Sequence, residues 1–450
     1  MIPPTPQNRP VIILGGGLAG LSTLWYLQRS GHGNCTLFEK ESRVGGLARS
    51  ETINGFTFDY TGHLLHFHSS SIQDLVHSLL NGNLHRLNRE SWIYSHQRYS
   101  RYPFQSNLFG LPAPVIKECI LEYVRAPGFR LSANDPIPPY EGPSNFESWV
   151  LFAFGKGLAR HFLLPYNEKL WTVPCRELSC DWMGRFVPQT SLEQILSGAL
   201  SDEAEKSGYN AFFSYPLQGG IEELPRKMAG ALANWHCNQE CSEIDLEAQS
   251  VRFQAGDRHS YHFLVTTIPL PFLIKICRRV PEEIRAAAQK LRWVSVLNLN
   301  FGIDRPMSGK HWIYVPESPW LFYRLGFQHN FSPFLAPSGC GSVYIEIAHP
   351  ADQPLDPGVV SRQVREQLHE LGILRKTDKI LAECHLKIPT AYVIYDQEHA
   401  RAVQTVQDYL KSRNVYSIGR YGAWEYSSME DALSAGAETA QEIQTKLRIQ

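Results

Sequence analysis

The chain has 450 residues, 43% hydrophobic and 19% charged, enough for two or three domains with substantial cores. Its 43 basic and 44 acidic residues leave a formal charge of −1, which argues against a nucleic-acid surface as the main function. No apolar run reaches the ~18 residues of a membrane span, the MIPPTPQNRP start lacks a signal-peptide apolar stretch, and nine scattered cysteines without metal-ligand spacing fit free thiols in a reducing, cytoplasmic compartment.

The first element is the most specific. Val11–Leu14 reads as a buried strand, and Gly15, Gly17 and Gly20 form a GxGxxG turn into a helix. In a dinucleotide-binding βαβ unit, Gly15 permits the tight turn, Gly17 admits a pyrophosphate and Gly20 lets the helix pack on the sheet. The helix N-terminus offers its unpaired N–H groups to the phosphates. Glu39 closes the second strand, nineteen residues after Gly20, where a carboxylate accepts from both ribose hydroxyls and disfavours a 2′-phosphate. Gly45-Gly46 follow, with Arg49 behind them as a phosphate partner or an exposed side chain. A nicotinamide site does not need this second glycine pair; an extended flavin dinucleotide often does.

Residues 71–95 mix helical and strand patterns, and RYSRYPFQSN reads as a structured loop. Residues 112–205 carry apolar positions at helical spacing and read as an insertion. Gly219-Gly220 precede a further helix, and residues 242–269 alternate as short strands. Residues 292–385 are β-rich, interrupted by helical stretches such as VVSRQVREQLHELG. Near the C-terminus a strand, Val415–Ile418, leads through Gly419-Arg420 into a long helix. The pattern predicts an α/β chain whose Rossmann-type FAD-binding domain is discontinuous (1–95, 211–285 and 389–450), with a helical insertion (96–210) and an antiparallel β-sheet substrate domain (286–388). His66 and His68 alternate with apolar residues, but no carboxylate or cysteine converges on them, so no metal site is expected.

GxGxxG, the acidic residue, ExxxxGGLAxS and GFTFDYTGHLLHFH resemble the amine-oxidase-like FAD superfamily and, within it, UDP-galactopyranose mutase and its relatives. The resemblance runs over nearly the whole chain, densest at GHLLHFHS, SRYPFQSN, LPYNEKLWTVP, LFYRLGF with FSP, and GRYGAWEY. It implies an FAD-dependent enzyme in which reduced flavin N5 attacks an anomeric carbon, expels UDP and lets the sugar ring open and reclose. It places His63, with Gly62, in a loop facing the flavin, and makes Arg324 a diphosphate-binding arginine. Tyr102, Gln105 and Asn107 would lie near sugar and phosphates, Trp312, Tyr314 and Tyr323 would line the pocket, and Tyr392 and Tyr426 would donate to the diphosphate. Gly419, Arg420 and Trp424 fall on the flavin side. The implied partner is a small molecule, a nucleoside-diphosphate sugar among the candidates.

The sequence departs from that pattern at three points. Leu164 stands where eukaryotic-type mutases carry an arginine before PYN, Ser191 replaces an expected asparagine, and one glycine of the mutase GGH is lost in Thr61-Gly62-His63. These changes keep a second reading open, an FAD oxidoreductase resembling amine or protoporphyrinogen oxidases that passes hydride from substrate to flavin N5. An FAD-bound non-enzymatic protein is the third.

Overall fold

The computed structural model describes residues 9–202 and 211–449; the proline-rich start before residue 9 and the expected boundary at 210 lie outside the described residues. In chain order, the elements that position the site are β1 (Val11–Leu14), α1 (Leu18–Arg29), β2 (Cys35–Phe38), β3 (Ser50–Ile53), β4 (Phe56–Asp59), β5 (His85–Asn88), β6 (Ser91–Ser95), β7 (Arg98–Arg101), α2 (Leu164–Trp171), α3 (Leu192–Leu200), β8 (Phe212–Tyr215), β9 (Trp235–His236), β10 (Phe263–Thr266), β11 (Trp293–Ile303), β12 (Trp312–Tyr314), β13 (Arg324–Gly326), β14 (Gly341–Pro350), α4 (Pro357–Glu370), β15 (Ile380–Val393), β16 (Val415–Ser417) and α5 (Met429–Ile449).

Five strands form a parallel sheet in the order β16-β10-β1-β2-β9. Val11 pairs with both Phe263 and Cys35, so strands far apart in sequence share one register. β1 and β10 are buried at every position, as expected of parallel strands covered on both faces. The helix α5 crosses α1 at Gly436, where a Cβ would lie 2.5 Å from the Ala19 carbonyl oxygen.

A second sheet has seven strands in the order β15-β11-β14-β13-β12-β6-β7. It is antiparallel except where β12 runs parallel to β6, and β6 and β7 bring residues 91–101 into it. Its two faces differ in chemistry because side chains alternate along each strand. Leu297, Leu299, Phe301, Leu325, Val343 and Ile345 pack with Val360, Val364 and Leu368 of the amphipathic α4, each such side chain contributing roughly 1.5–3 kcal/mol by burial. The opposite face carries Asn298 and Asn300 from β11, Tyr344 and Glu346 from β14, Arg324 from β13 and Tyr314 from β12, held side by side by the register.

Candidate active site

The glycine turn closes tightly. Gly15 has φ +106°, and a Cβ there would lie 2.0 Å from Thr267 Oγ1 at the end of β10. A Cβ on Gly20 would lie 2.0 Å from the Gly15 carbonyl oxygen. No side chain caps α1 and its first turn holds no acidic residue, so its leading amides and positive dipole end suit an anion. The second glycine loop lies directly on the first: Gly45 N–H donates to the Gly16 carbonyl at 2.8 Å, and a Cβ on Gly46 would lie 3.3 Å from Gly17 Cα. Glu39 is buried at the tip of β2, accepting from Gly16 N at 2.6 Å and Glu41 N at 2.9 Å. The Arg49 guanidinium stacks 5.1 Å over Tyr60, with its Nε buried and unpartnered. Gly419 brings the C-terminal block against the same turn, its Cβ position 2.8 Å from Ala19 Cβ. Two abutting glycine loops, a free helix N-terminus, an acid at the second strand and a buried guanidinium nitrogen without a partner fit a flavin dinucleotide.

The loop after β4 joins this cradle to the polar face of the seven-stranded sheet. Asn298 Nδ2 donates to the Asp59 carbonyl at 3.2 Å, and a Cβ on Gly62 would lie 2.7 Å from the Tyr344 hydroxyl. Thr61 sits at φ +75°, strained for a β-branched residue. His63 follows, with Nδ1 buried and unpartnered. Burial first, then the charges of Arg420 and Arg324, lower its pKa to about 4, so the ring is neutral at pH 7.

Arg324 opens β13 directly across from Glu346 of β14. Its Nη2 donates to both carboxylate oxygens, at 2.8 and 2.7 Å, while its Nε is buried and unpartnered. Glu346 is fully buried and also accepts from the Tyr323 hydroxyl, which lies 3.4 Å from the Tyr392 hydroxyl. Arg420 is held by backbone oxygens, Nη1 on Ser427 at 2.6 Å and Nη2 on Ala391 at 3.2 Å, and stacks 4.8 Å from Tyr426 and 5.3 Å from Tyr392. Rings close the space: Tyr102 and Tyr166 lie 4.8 and 5.3 Å from Tyr314, and Tyr392 lies 5.9 Å from Tyr426. Burial raises the pKa of Tyr102, Tyr166, Tyr323, Tyr344, Tyr392 and Tyr426, so their hydroxyls stay protonated. The group therefore holds two guanidiniums, one carboxylate, a neutral imidazole and a set of O–H donors.

The structure thus gathers His63, Arg324, Arg420, Tyr102, Tyr314, Tyr323, Tyr392 and Tyr426, with Trp312 on the same sheet face and its Nε1 buried and unpartnered. The remaining expected residues make the following contacts. Gln105 and Asn107 donate to the carbonyls of Pro188, at 2.6 Å, and Pro103, at 2.9 Å, bracing the turn after Tyr102. Trp424, expected on the flavin side, is fully buried and edge-on to Trp293 at 5.9 Å, with its Nε1 buried and unpartnered. Leu164 lines an outer cavity of about 490 Å³ with Glu118, Glu122 and Arg160, and Ser191 is the N-cap of α3. Sequence reasoning missed Glu346, Tyr344, Tyr166 and Asn298. The lone charge in SVYIEIA pointed to the first, and LPYNEKLW held the third. Among the described residues, no cluster of three or more metal-ligating side chains is present, and no helix is long and apolar enough to cross a membrane.

Comparison with known proteins agrees with this geometry. The profile of the flavin-containing amine oxidoreductase family matches residues 18–444. A crystal structure of reduced UDP-galactopyranose mutase superimposes with a TM-score of 0.90 at 28% identity, covering 97% of this chain and 94% of that one. An Exiguobacterium protein described as a protoporphyrinogen oxidase shares the fold, with a TM-score of 0.74 at 16% identity over 97% of this chain and 99% of its own. An uncharacterized protein in the nifH2 3′ region of Methanothermococcus thermolithotrophicus is 40% identical over 55 residues, 12% of this chain; the match spans about half (52%) of that relative's length. The chain belongs to the flavin-containing amine oxidoreductase family and is an FAD-dependent enzyme.

Proposed function

We propose that this member of the flavin-containing amine oxidoreductase family is a redox-neutral isomerase of a nucleoside-diphosphate sugar. The observation that carries the reading is the pocket wall: Arg324 and Arg420, with no carboxylate but Glu346 bonded to either among the described residues, stand among protonated tyrosine hydroxyls on a polar sheet face. Such a wall suits a diphosphate and a sugar better than an apolar amine or polyene. The likeness to reduced UDP-galactopyranose mutase, the one at 28% identity, supports it.

Reduced flavin, when bound, would supply the nucleophile for opening the sugar ring. The cradle residues Gly15, Gly17, Gly20, Glu39, Gly46 and Arg49 would hold the dinucleotide, with Gly62 and Gly419 giving backbone close access. Arg324 and Arg420 would take diphosphate oxygens, and the hydroxyls of Tyr392 and Tyr426 would donate to the same anion. Tyr102 and Tyr314 would wall the sugar. His63, neutral and with Nδ1 unpartnered, would present one free ring nitrogen to the flavin edge without adding charge. Orientation and charge complementarity are then the protein's main contributions.

Dithionite-reduced holoenzyme should interconvert UDP-galactopyranose and UDP-galactofuranose or a related pair. A specific observation favours a second reading: Glu346 offsets Arg324, and Leu164 supplies no replacement charge. An FAD oxidoreductase would be established instead if no nucleotide sugar reacted while an amine, porphyrinogen or polyene bleached the oxidised flavin anaerobically.

A further inference from the structure

Backbone strain in the C-terminal block falls on a bulky residue. Trp424 sits at φ +59°, in the left-handed region that glycine enters freely and a large side chain avoids. It ends a single π-helical turn, Arg420–Trp424, which the Glu425 N–H closes on the Arg420 carbonyl at 2.9 Å. Such turns and such strained residues persist where the surrounding contacts over-determine them. This turn supplies two side chains of the pocket wall. Arg420 opens it and Tyr426 follows it by two residues, the guanidinium lying 4.8 Å from the ring.

The contacts that hold the turn come from residues 395–407. His399 Nε2 lies 2.9 Å from the carbonyl oxygen of Trp424. A carbonyl only accepts, so this ring nitrogen carries the proton and donates. The Tyr395 hydroxyl accepts from the Tyr426 N–H at 2.6 Å. Both side chains are buried, with ring centroids 4.1 Å apart, so each restrains the other. Further along the helix His399–Lys411, Gln407 Nε2 donates to the carbonyls of Ser417 at 3.1 Å and Gly422 at 2.9 Å. The bracket is itself anchored, since Ile394 N–H donates to the Arg292 carbonyl at 3.0 Å and Ser179 N–H to the Tyr395 carbonyl at 2.6 Å. His399 and Tyr395 therefore grip the backbone on either side of Glu425, directly after the strained residue.

We propose that His399 and Tyr395 are positioning residues: by holding the Trp424 carbonyl and the Tyr426 amide they keep the turn in its strained conformation and so fix Tyr426 relative to Arg420. Without these bonds Trp424 relaxes toward negative φ. A change in one backbone torsion swings everything beyond it, so Tyr426 departs from Arg420. An anion shared by a guanidinium and a hydroxyl is bound best when both are held in place beforehand. That these two groups meet a diphosphate rests on the nucleotide-sugar reading above; the grip on the turn does not.

The test is UDP binding to the reduced holoenzyme, measured by calorimetry. His399→Leu removes the donor and should weaken UDP about tenfold with flavin content unchanged, the scale of one lost hydrogen bond at a buried acceptor. His399→Gln returns an N–H donor and should recover most of that affinity, a rescue that a general loss of stability would not give. Tyr395→Phe removes one acceptor oxygen and should cost about threefold; it decides the matter if His399→Leu does not fold. Affinity within about twofold of wild type in either variant that folds, or no recovery in His399→Gln, would overturn the proposal and leave the nucleotide-sugar reading standing. A wild type that binds no UDP would sink that reading alone. The crystal structure of the same flavin-loaded variant then decides the positioning role. A negative φ at Trp424 with Tyr426 displaced from Arg420 is the expected result, and an unchanged turn would overturn it.

Discussion

The nucleotide cradle and the polar face of the seven-stranded sheet meet at the Tyr60–His63 loop, and they are built by opposite means. In the cradle the working parts are backbone: glycines whose missing Cβ atoms let Gly15, Gly17, Gly20 and Gly46 approach Thr267 and one another, and amides left open at the start of α1. On the sheet face the working parts are side chains, and what holds each in place is its cross-strand partner, as Glu346 holds Arg324 and Tyr323. A backbone site tolerates no added atom. A side-chain site tolerates no missing charge.

If side-chain pairing holds the sheet face, Glu346→Ala is the costliest single change. It leaves the Arg324 guanidinium buried without its counter-ion, and breaking such a pair costs about 3–5 kcal/mol. Urea denaturation of the holoenzyme measures this, and Glu346→Gln, which keeps an acceptor, should lose less. A cost for Glu346→Ala within about 1 kcal/mol, the median of an exposed pair, would show that water reaches the pair and that the face is less closed than its burial states.

The cradle is tested by adding one carbon. Gly15→Ala places a Cβ in the left-handed region, about 1–3 kcal/mol of strain, and drives it to 2.0 Å from Thr267 Oγ1. The variant should purify with little or no flavin, read from the ratio of flavin to protein absorbance. The double variant Gly15→Ala, Thr267→Ala separates the causes: it relieves the collision, whose next contact is 3.3 Å away, but not the backbone strain. Partial recovery of flavin is expected. Full recovery would mean that the conformation costs nothing and only space matters.

His63 lies between the two regions and gives a smaller, pH-dependent effect. Its folded pKa of about 4 lies below the ordinary 6.5, so between these values the unfolded chain binds the extra proton. Stability from this group is therefore full above pH 6.5 and is lost as pH falls toward 4. His63→Gln should remove that share of the slope, so the variant gains on the wild type by about 1–2 kcal/mol at the acid end after allowance for partial solvent access. Asp59, whose pKa burial raises to about 6, titrates with the opposite sign but is present in both chains. Parallel stability curves for the two proteins would place His63 in contact with bulk water.

The same division explains what could be read in advance. GxGxxG, Glu39 and Gly45-Gly46 were legible because each acts within a few residues of its neighbours, and the cradle they form is local in sequence apart from its contacts with Thr267 and Gly419. Arg324 and the tyrosines were found through the resemblance, block by block. Glu346 and Tyr344 were not, because nothing in SVYIEIA says which strand lies opposite; the pairing of Arg324 with Glu346 is a property of register. Gln105 and Asn107 look alike as binding residues in sequence, and only the folded chain shows their amides donating to the carbonyls of Pro188 and Pro103. Trp424, in a glycine-rich block beside Arg420, stands edge-on to Trp293, a contact that the sequence order alone does not reveal.

The smallest effect is expected at Leu164, the residue that most separates this chain from the mutase pattern. Its side chain lines the outer cavity beside Glu118, Glu122 and Arg160, while Tyr166, two positions on in α2, turns its ring to Tyr314 and Tyr323. Residues two apart on a helix do not share a face. Leu164→Arg would accordingly meet Glu118 and Glu122 at the surface, where an ion pair is worth at most about 1 kcal/mol, and thermal unfolding should change little. Binding of UDP to the reduced holoenzyme, measured by calorimetry, should be unaltered. A tenfold gain in affinity would instead mean that the new guanidinium reaches the tyrosine group, that α2 can rotate to deliver it, and that the missing charge of the sheet face can be restored from the helical insertion.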